Sequence, residues 1–460
     1  MFPFFFWRLC MLERKLEKRI DEFYKTDTKA LLVTGARQTG KTFTIRAFGK
    51  RSFASFIEIN FLEKPQAKTL FENATGSADL LLRISAFADK PLLPHKTLIF
   101  FDEVQECKEL VTAIKFLVEE GSYRYILSGS LLGVELKDIR SVPVGYMDIY
   151  EMYPLDFEEF ITACGVSGKV LEHLKNAFTQ RIPADPVIHE KMMELFRLYL
   201  VVGGMPSVVA KYLATNNLQE VVREQQTIIA LYKKDIAKYD PDNKLYLEDI
   251  FDLIPGELNA KNKRFILKRL NEHFKFSRYH NSFLWLKDAG VALPAFCVEE
   301  PKVPLKLNQN TNLFKLFLSD VGLLAAMYMD GLQIKILNRE KDINFGSVYE
   351  NVAAQELKAH GFTLYYFNSK KQGELDFVIE QGGNALPVEI KSGKDYARHA
   401  ALDHVLANKE YAIPEAFVLH NGNVSVNNKI VYYPVYMLMF LQKETNLGDV
   451  IYKPDMDILR

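Results

Sequence analysis

The stretch Leu31-Leu32-Val33-Thr34-Gly35-Ala36-Arg37-Gln38-Thr39-Gly40-Lys41-Thr42 constrains this chain more than any other. An apolar run enters it, and Phe43-Thr44-Ile45-Arg46-Ala47-Phe48 leaves it with helical spacing. A buried strand therefore turns through G-x-x-x-x-G-K-T into a helix, the pattern of a phosphate loop. Phosphate oxygens need backbone N–H donors on a tight curve, which Gly35 and Gly40 permit, and the helix start adds unpaired N–H groups and a positive dipole end. The reading is a nucleoside-triphosphate site built from Gly35, Ala36, Arg37, Gln38, Thr39, Gly40, Lys41, Thr42 and Phe43. Lys41 is expected to reach the β- and γ-phosphates and the Thr42 hydroxyl to ligate Mg²⁺, so ATP and Mg²⁺ are the expected cofactors.

Two further segments complete that site. Thr97-Leu98-Ile99-Phe100-Phe101-Asp102-Glu103 reads as a buried parallel strand delivering two carboxylates at its C-terminal edge. Asp102 is assigned to the Mg²⁺ shell and Glu103 to polarising the attacking water. Phe56–Asn60 reads as a second strand. An acid directly after Asp102 points to the P-loop division with an extra strand between the phosphate-loop and Asp102 strands. Tyr123–Ser130 fits that insertion, with Ser128 as the γ-phosphate or water sensor; the alternative is that Ser128-Gly129-Ser130 only turns the chain.

Length, 460 residues, is too great for one core and predicts about three domains. With 48% hydrophobic and 25% charged residues and zero net charge, no global field draws the chain to nucleic acid or membrane, so any such surface must be local. Cys10, Cys107, Cys164 and Cys297 form no CxxC pair and read as reduced thiols of a cytoplasmic protein, neither a zinc site nor a disulfide framework. Met1–Trp7 is too short to span a bilayer and lacks a basic signal-peptide start. Leu12, Leu16, Ile20 and Phe23 make an amphipathic helix just after Met11, so residues 1–10 read as an overcalled start and no membrane partner is expected; peripheral membrane attachment of that segment is the alternative.

The segments GARQTGKT, LIFFDEVQ, ILSGS, Tyr153-Pro154-Leu155-Asp156-Phe157-Glu158-Glu159-Phe160, Tyr199 to Pro206 and Tyr232 to Ile236 together resemble predicted prokaryotic AAA-type ATPases followed by an uncharacterised C-terminal domain. The resemblance implies an ATPase core over 11–153 and a helical lid over 154–240. This chain departs from it at Gly145-Tyr146, where members often carry Gly-Arg; Arg124 and Arg140 are weak substitutes for that charge.

Residues 259–280 carry seven Lys/Arg (Lys261, Lys263, Arg264, Lys268, Arg269, Lys275, Arg278) against Glu272 alone. A helix there, a second over about 278–289, and strand-like Val291–Leu293 and Phe296–Val298 make a winged-helix layout within a connector at 241–310. Its charge would bind DNA phosphates with salt-dependent affinity; a packing module is the alternative. Beyond it, 311–442 reads as an α/β domain and 443–460 as a tail. Glu350 lies on an amphipathic helix, Asp376 opens one strand of a hairpin, and alternation puts Glu389 and Lys391 on one face of the other. That order resembles the PD-(D/E)xK restriction-endonuclease-like fold. It implies that Asp376, Glu389 and a backbone carbonyl hold Mg²⁺, that Glu350 completes the metal shell, and that Lys391 steers the bound water or neutralises developing charge in cleavage of nucleic acid. The alternative is an inactive copy that only binds DNA or a protein. The whole is an α/β chain: P-loop ATPase with helices on both faces of a parallel sheet, lid, winged helix and nuclease-like domain. An oligomer or a protein partner is compatible with it.

Overall fold

The computed structural model describes residues 12–130, 145–239, 244–260, 285–328, 331–338, 346–393 and 395–444. Residues 1–11, Arg140 and the basic run 261–284 lie outside them, and with them the first helix expected for a winged helix and the start of the second, whose end at 285–288 is helical. Two sheets organise the described chain, one parallel and one mixed, in α/β architecture.

The first sheet contains β1 (Ala30–Thr34), β2 (Ser55–Asn60), β3 (Thr97–Asp102), β4 (Arg124–Ser128) and β5 (Met147–Glu151), ordered β2-β3-β4-β1-β5 and parallel at each of its four pairings. Strand β4 stands between the phosphate-loop strand β1 and the acid-bearing β3, as expected. Helices α1 (Lys15–Thr26) and α2 (Lys41–Ser52) cover one face, α3 (Ser77–Phe87) and α4 (Lys108–Glu120) the other. Alternation along β3 sends Leu98 and Phe100 into a cluster with Leu16, Ile20, Phe23 and Ile45, and Ile99 and Phe101 into one with Leu80, Ile84 and Ile114. That is why its sequence is apolar throughout: both faces are covered.

A run of helices follows: α5 (Phe157–Ala163), α6 (Gly168–Gln180), α7 (Pro186–Val202), α8 (Pro206–Thr215), α9 (Leu218–Tyr239) and α10 (Lys244–Asn259). Asp156 starts α5 with a capping box, accepting the Glu159 N–H while Glu159 accepts the Asp156 N–H. Among the described residues no single helix is long and apolar enough to cross a membrane; the bent pair α7–α8 has the apolar length, with Met192, Phe196, Leu200, Val208 and Val209 buried in the protein interior.

The second sheet holds β6 (Ala292–Val298), β7 (Gln309–Leu318), β8 (Tyr365–Ser369), β9 (Gly373–Gln381), β10 (Asn384–Ile390), β11 (Ala416–His420), β12 (Ser425–Asn427) and β13 (Ile430–Pro434), ordered β12-β13-β11-β10-β9-β8-β6-β7. Its helices are α11 (Val321–Met327), α12 (Leu332–Leu337), α13 (Gly346–Ala359) and α14 (Ala400–Ala407). The hairpin β9–β10 turns through Gly382-Gly383, both at positive φ, as a two-residue turn of matching twist requires.

One expectation needs correction. Val291–Leu293 and Phe296–Val298 are not a separate wing: from Ala292 on they run through one strand, β6, that pairs with β7 and β8 inside the eight-stranded sheet. Their apolar side chains are held there because both faces of the sheet are covered, with Ala292 and Val298 fully buried. The divisions expected at 240 and 310 also fall within one continuous apolar cluster that runs from Leu155 and Phe157 through Phe196 and Ile250 to Phe317, Val352 and Tyr436.

Candidate functional site

The phosphate loop lies between β1 and α2. Gly35 at φ +129° brings its backbone so close to β5 that a Cβ there would meet the Met152 carbonyl oxygen at 2.1 Å. Lys41, at the first position of α2, is buried, and its Nζ donates to the carbonyls of Gly35 (2.9 Å) and Ala36 (2.7 Å). Burial pulls its pKa down to about 8, against the opposing pull of Glu103 and Asp102. Thr39 closes the loop, its hydroxyl donating to Ala36 O at 3.0 Å.

Asp102 is the hub of the site. At the end of β3 it accepts from Thr42 Oγ1 (3.0 and 3.2 Å), from Asn60 Nδ2 (3.0 Å), from the Glu103 N–H (3.1 Å) and from Ser128 Oγ. Three parallel strands thus deliver Asn60, Asp102 and Ser128 to one edge, beside the loop that carries Thr42. A hydroxyl and a carboxylate side by side are the hard oxygen donors that Mg²⁺ takes, so Thr42 and Asp102 fit it. Glu103 follows in the left-handed region (φ +57°) and is held by Gln105 Nε2. Asn60 was not among the expected site residues; its signal is an amide ending the strand beside β3.

The loop is gripped from outside by residues the motif does not announce. Arg14 Nη1 donates to Thr39 O (2.7 Å), Nη2 to Tyr153 O (2.8 Å) and Nε to Glu159 (3.1 Å). Arg37, inside the loop, pairs with Asp235 of α9 and donates to Ser130 Oγ (3.2 Å), and Tyr232 of α9 donates to Arg37 O at 3.0 Å. Helix α9 therefore touches the phosphate loop through both side chain and backbone. Arg124, a weak candidate for a charge-neutralising arginine, lies over the Tyr24 ring with its guanidinium carbon 5.9 Å from the centroid.

In the second sheet Asp376, Glu389 and Lys391 come together. Asp376 Oδ2 accepts the Ile390 N–H (2.9 Å), Glu389 Oε2 lies 3.4 Å from the Asp376 N–H, and Lys391 Nζ donates to Glu389 Oε1 (2.8 Å). A bulge in β9 aims Asp376: Tyr365 and Phe367 of β8 face Val378 and Leu375, so three residue steps on β9 oppose two on β8. Glu350, on α13, faces a cation of the chain itself. Lys315 of β7, fully buried, places Nζ 3.6 Å from Glu350 Oε2 and 2.8 Å from Glu374 Oε1. Burial would lower its pKa, but Glu350, Glu374 and Asp376 outweigh that and hold it raised and charged. Among the described residues no three His, Cys, Asp or Glu side chains form a group able to hold a metal ion. Glu350, turned to Lys315, does not join Asp376 and Glu389 in one three-carboxylate group, and no step is derived through a metal there.

Burial, with Asp376 alongside, pushes Glu389 up to about 7 while Lys391 pulls the other way. Because its folded pKa is above the ordinary carboxylate value, its contribution favours folding below about pH 4.5 and is lost as pH rises through 7. The melting temperature of Glu389→Gln should therefore gain roughly 2–4 °C on wild type at pH 8 and nothing at pH 4.5, read by thermal scans at the two pH values.

Fold and site define the N-terminal part as a P-loop nucleotide-binding domain of AAA type. Residues 27–161 match a family described as an AAA domain; residues 193–336 and 345–438 match two families described as a Domain of unknown function (DUF8612) and a Domain of unknown function (DUF4143). No curated protein matches the chain. Among solved structures it is similar to the Walker-type ATPase paby2304 of Pyrococcus abyssi (15% identity, 69% of this chain and 96% of that one, TM-score 0.42) and to the Aeropyrum pernix ORC1 protein in complex with DNA (12%, 72% and 91%, TM-score 0.23). Both scores lie below 0.5, so the AAA assignment rests on the family match and the loop geometry.

Proposed function

We propose that this chain is an ATP-hydrolysing switch whose nucleotide state is passed to a nuclease-like C-terminal domain that binds DNA without cutting it. The observation that carries the ATPase reading is Asp102, joined to Thr42, Asn60 and Ser128 at the strand edge beside the phosphate loop. Lys41 and the loop N–H groups would hold the phosphates, and Thr42 and Asp102 would hold Mg²⁺, which offsets charge on the β- and γ-oxygens. Glu103 would accept a proton from the attacking water, with Ser128 placed to contact the γ-phosphate or that water. Arg37 and Asp235 supply the switch: a triphosphate beside Arg37 competes for the guanidinium that now holds α9.

DNA as partner is supported by the seven basic residues of 259–280, all of which lie outside the described residues. Metal-dependent cleavage by Glu350, Asp376, Glu389 and Lys391 is the second reading, favoured by the close set Asp376–Glu389–Lys391 and opposed by Lys315 against Glu350. One set of assays on the purified chain decides: ATPase rate, DNA binding across a salt series with and without ATP, and cleavage under Mg²⁺ or Mn²⁺. We expect DNA affinity that falls steeply with salt and moves about tenfold with ATP, the size of a typical coupling, and intact DNA. Asp235→Asn should still bind ATP but lose most of that ATP effect. Cleavage that disappears in Asp376→Ala would establish the nuclease instead. ATPase activity and binding indifferent to DNA would refute the nucleic-acid reading.

A further inference from the structure

We infer that the Lys315 ammonium stands where a divalent cation would sit among the carboxylates of the C-terminal sheet, so that the wild-type cluster takes up no metal ion. Lys315 is a lysine inside an apolar strand, with Phe314, Leu316, Phe317 and Leu318 buried around it. A charge in that position is tolerated only where opposite charge meets it. Glu374 lies 2.8 Å from Nζ, Glu350 3.6 Å, and the Tyr366 ring offers its face with the centroid 5.0 Å away.

The sheet curls to make this possible. Lys315 on β7 reaches Glu374 on β9 across two intervening strands, and Phe317, two residues on, packs against Phe377 with ring centroids 5.6 Å apart. The β9 bulge sets Asp376 on the same curve. Two neighbouring oxygens already accept hydrogen bonds, Asp376 Oδ2 from the Ile390 N–H and Glu389 Oε1 from Lys391 Nζ. An entering dication would meet the fixed Lys315 charge at close range. The chain's own cation instead ties helix α13 to strands β7 and β9.

This rests on the non-cutting reading of the domain, and the test separates the two. Mn²⁺ uptake by the full-length, nucleotide-free chain is titrated by electron paramagnetic resonance, which reads free Mn²⁺. Wild type and Asp376→Asn should give the same curve. Lys315→Met, which removes the ammonium from between Glu350 and Glu374, should gain one Mn²⁺ per chain, bound at least about tenfold tighter than any uptake by wild type. That gain should vanish in the Lys315→Met, Asp376→Asn double variant and be absent from Lys315→Arg. Wild-type uptake that falls in Asp376→Asn would overturn the inference, as would a folded Lys315→Met with no gain. If Lys315→Met does not fold, the comparison of wild type with Asp376→Asn decides alone. DNA cleavage persisting in EDTA would defeat the non-cutting reading and leave Lys315 in its place; Mn²⁺ uptake lost in Asp376→Asn, without cleavage, would do the reverse.

Discussion

Lys41→Ala should abolish nucleotide binding, dropping affinity by roughly 100-fold or more, since a buried charge-assisted contact to phosphate is worth about 3 kcal/mol or above. The side chain is positioned for the task before any phosphate arrives: it lies under the loop with two carbonyls as its hydrogen-bond acceptors. Binding should also have a measurable proton signature. With its pKa pulled down to about 8 by burial, part of the Lys41 population is neutral at pH 8.5. A triphosphate brings negative charge beside Nζ and raises that pKa again, so binding takes up a proton, and affinity falls as pH climbs above 8. Calorimetry at pH 8.5 in two buffers of different ionisation enthalpy measures the uptake. Equal heats in both buffers would remove Lys41 as its source.

Glu103→Gln should bind ATP about as well as wild type and hydrolyse it roughly 10²–10⁴-fold more slowly, the range of a positioned general base. The amide keeps the size of the side chain and loses only the ability to accept a proton. Asp102 would remain anchored by Thr42, Asn60 and Ser128, so the phosphate and Mg²⁺ contacts are not predicted to change. Single-turnover hydrolysis beside a nucleotide-binding titration checks both halves, and full turnover in the variant would refute the role. The left-handed backbone at Glu103 is in keeping with this role, since such conformations in non-glycine residues cluster at functional sites.

What the sequence alone makes legible is local. Gly35, Lys41 and Thr42 sit in one eight-residue motif, and Asp102 and Glu103 end one apolar run; each needs only a strand and its neighbouring turn. Placing Tyr123–Ser130 between the other two strands depended on a rule of strand order, and the sheet follows it. Arg14 was invisible because its partners Thr39, Tyr153 and Glu159 lie 25 to 145 residues away. Lys315 was missed for a different reason. A lysine at an inward position of an apolar strand is itself a signal, but its meaning depends on Glu350 and Glu374, which only a curled sheet brings near. The bulge at Asp376 breaks the period-two alternation on which strand reading relies. The strands taken for a wing show the same limit: periodicity identified β6 as extended without saying which sheet it joins.

The turn between α7 and α8 has a mechanical consequence. Asp320, at the start of α11, accepts the Gly204 N–H at 2.6 Å, and Tyr199 and the Phe157 N–H meet Glu356 of α13. With one apolar interior shared by these elements, the helices after the ATPase sheet cannot swing apart from the eight-stranded sheet without tearing buried contacts. Under the proposed switch, a displacement that starts where Arg37 meets Asp235 would therefore carry both together.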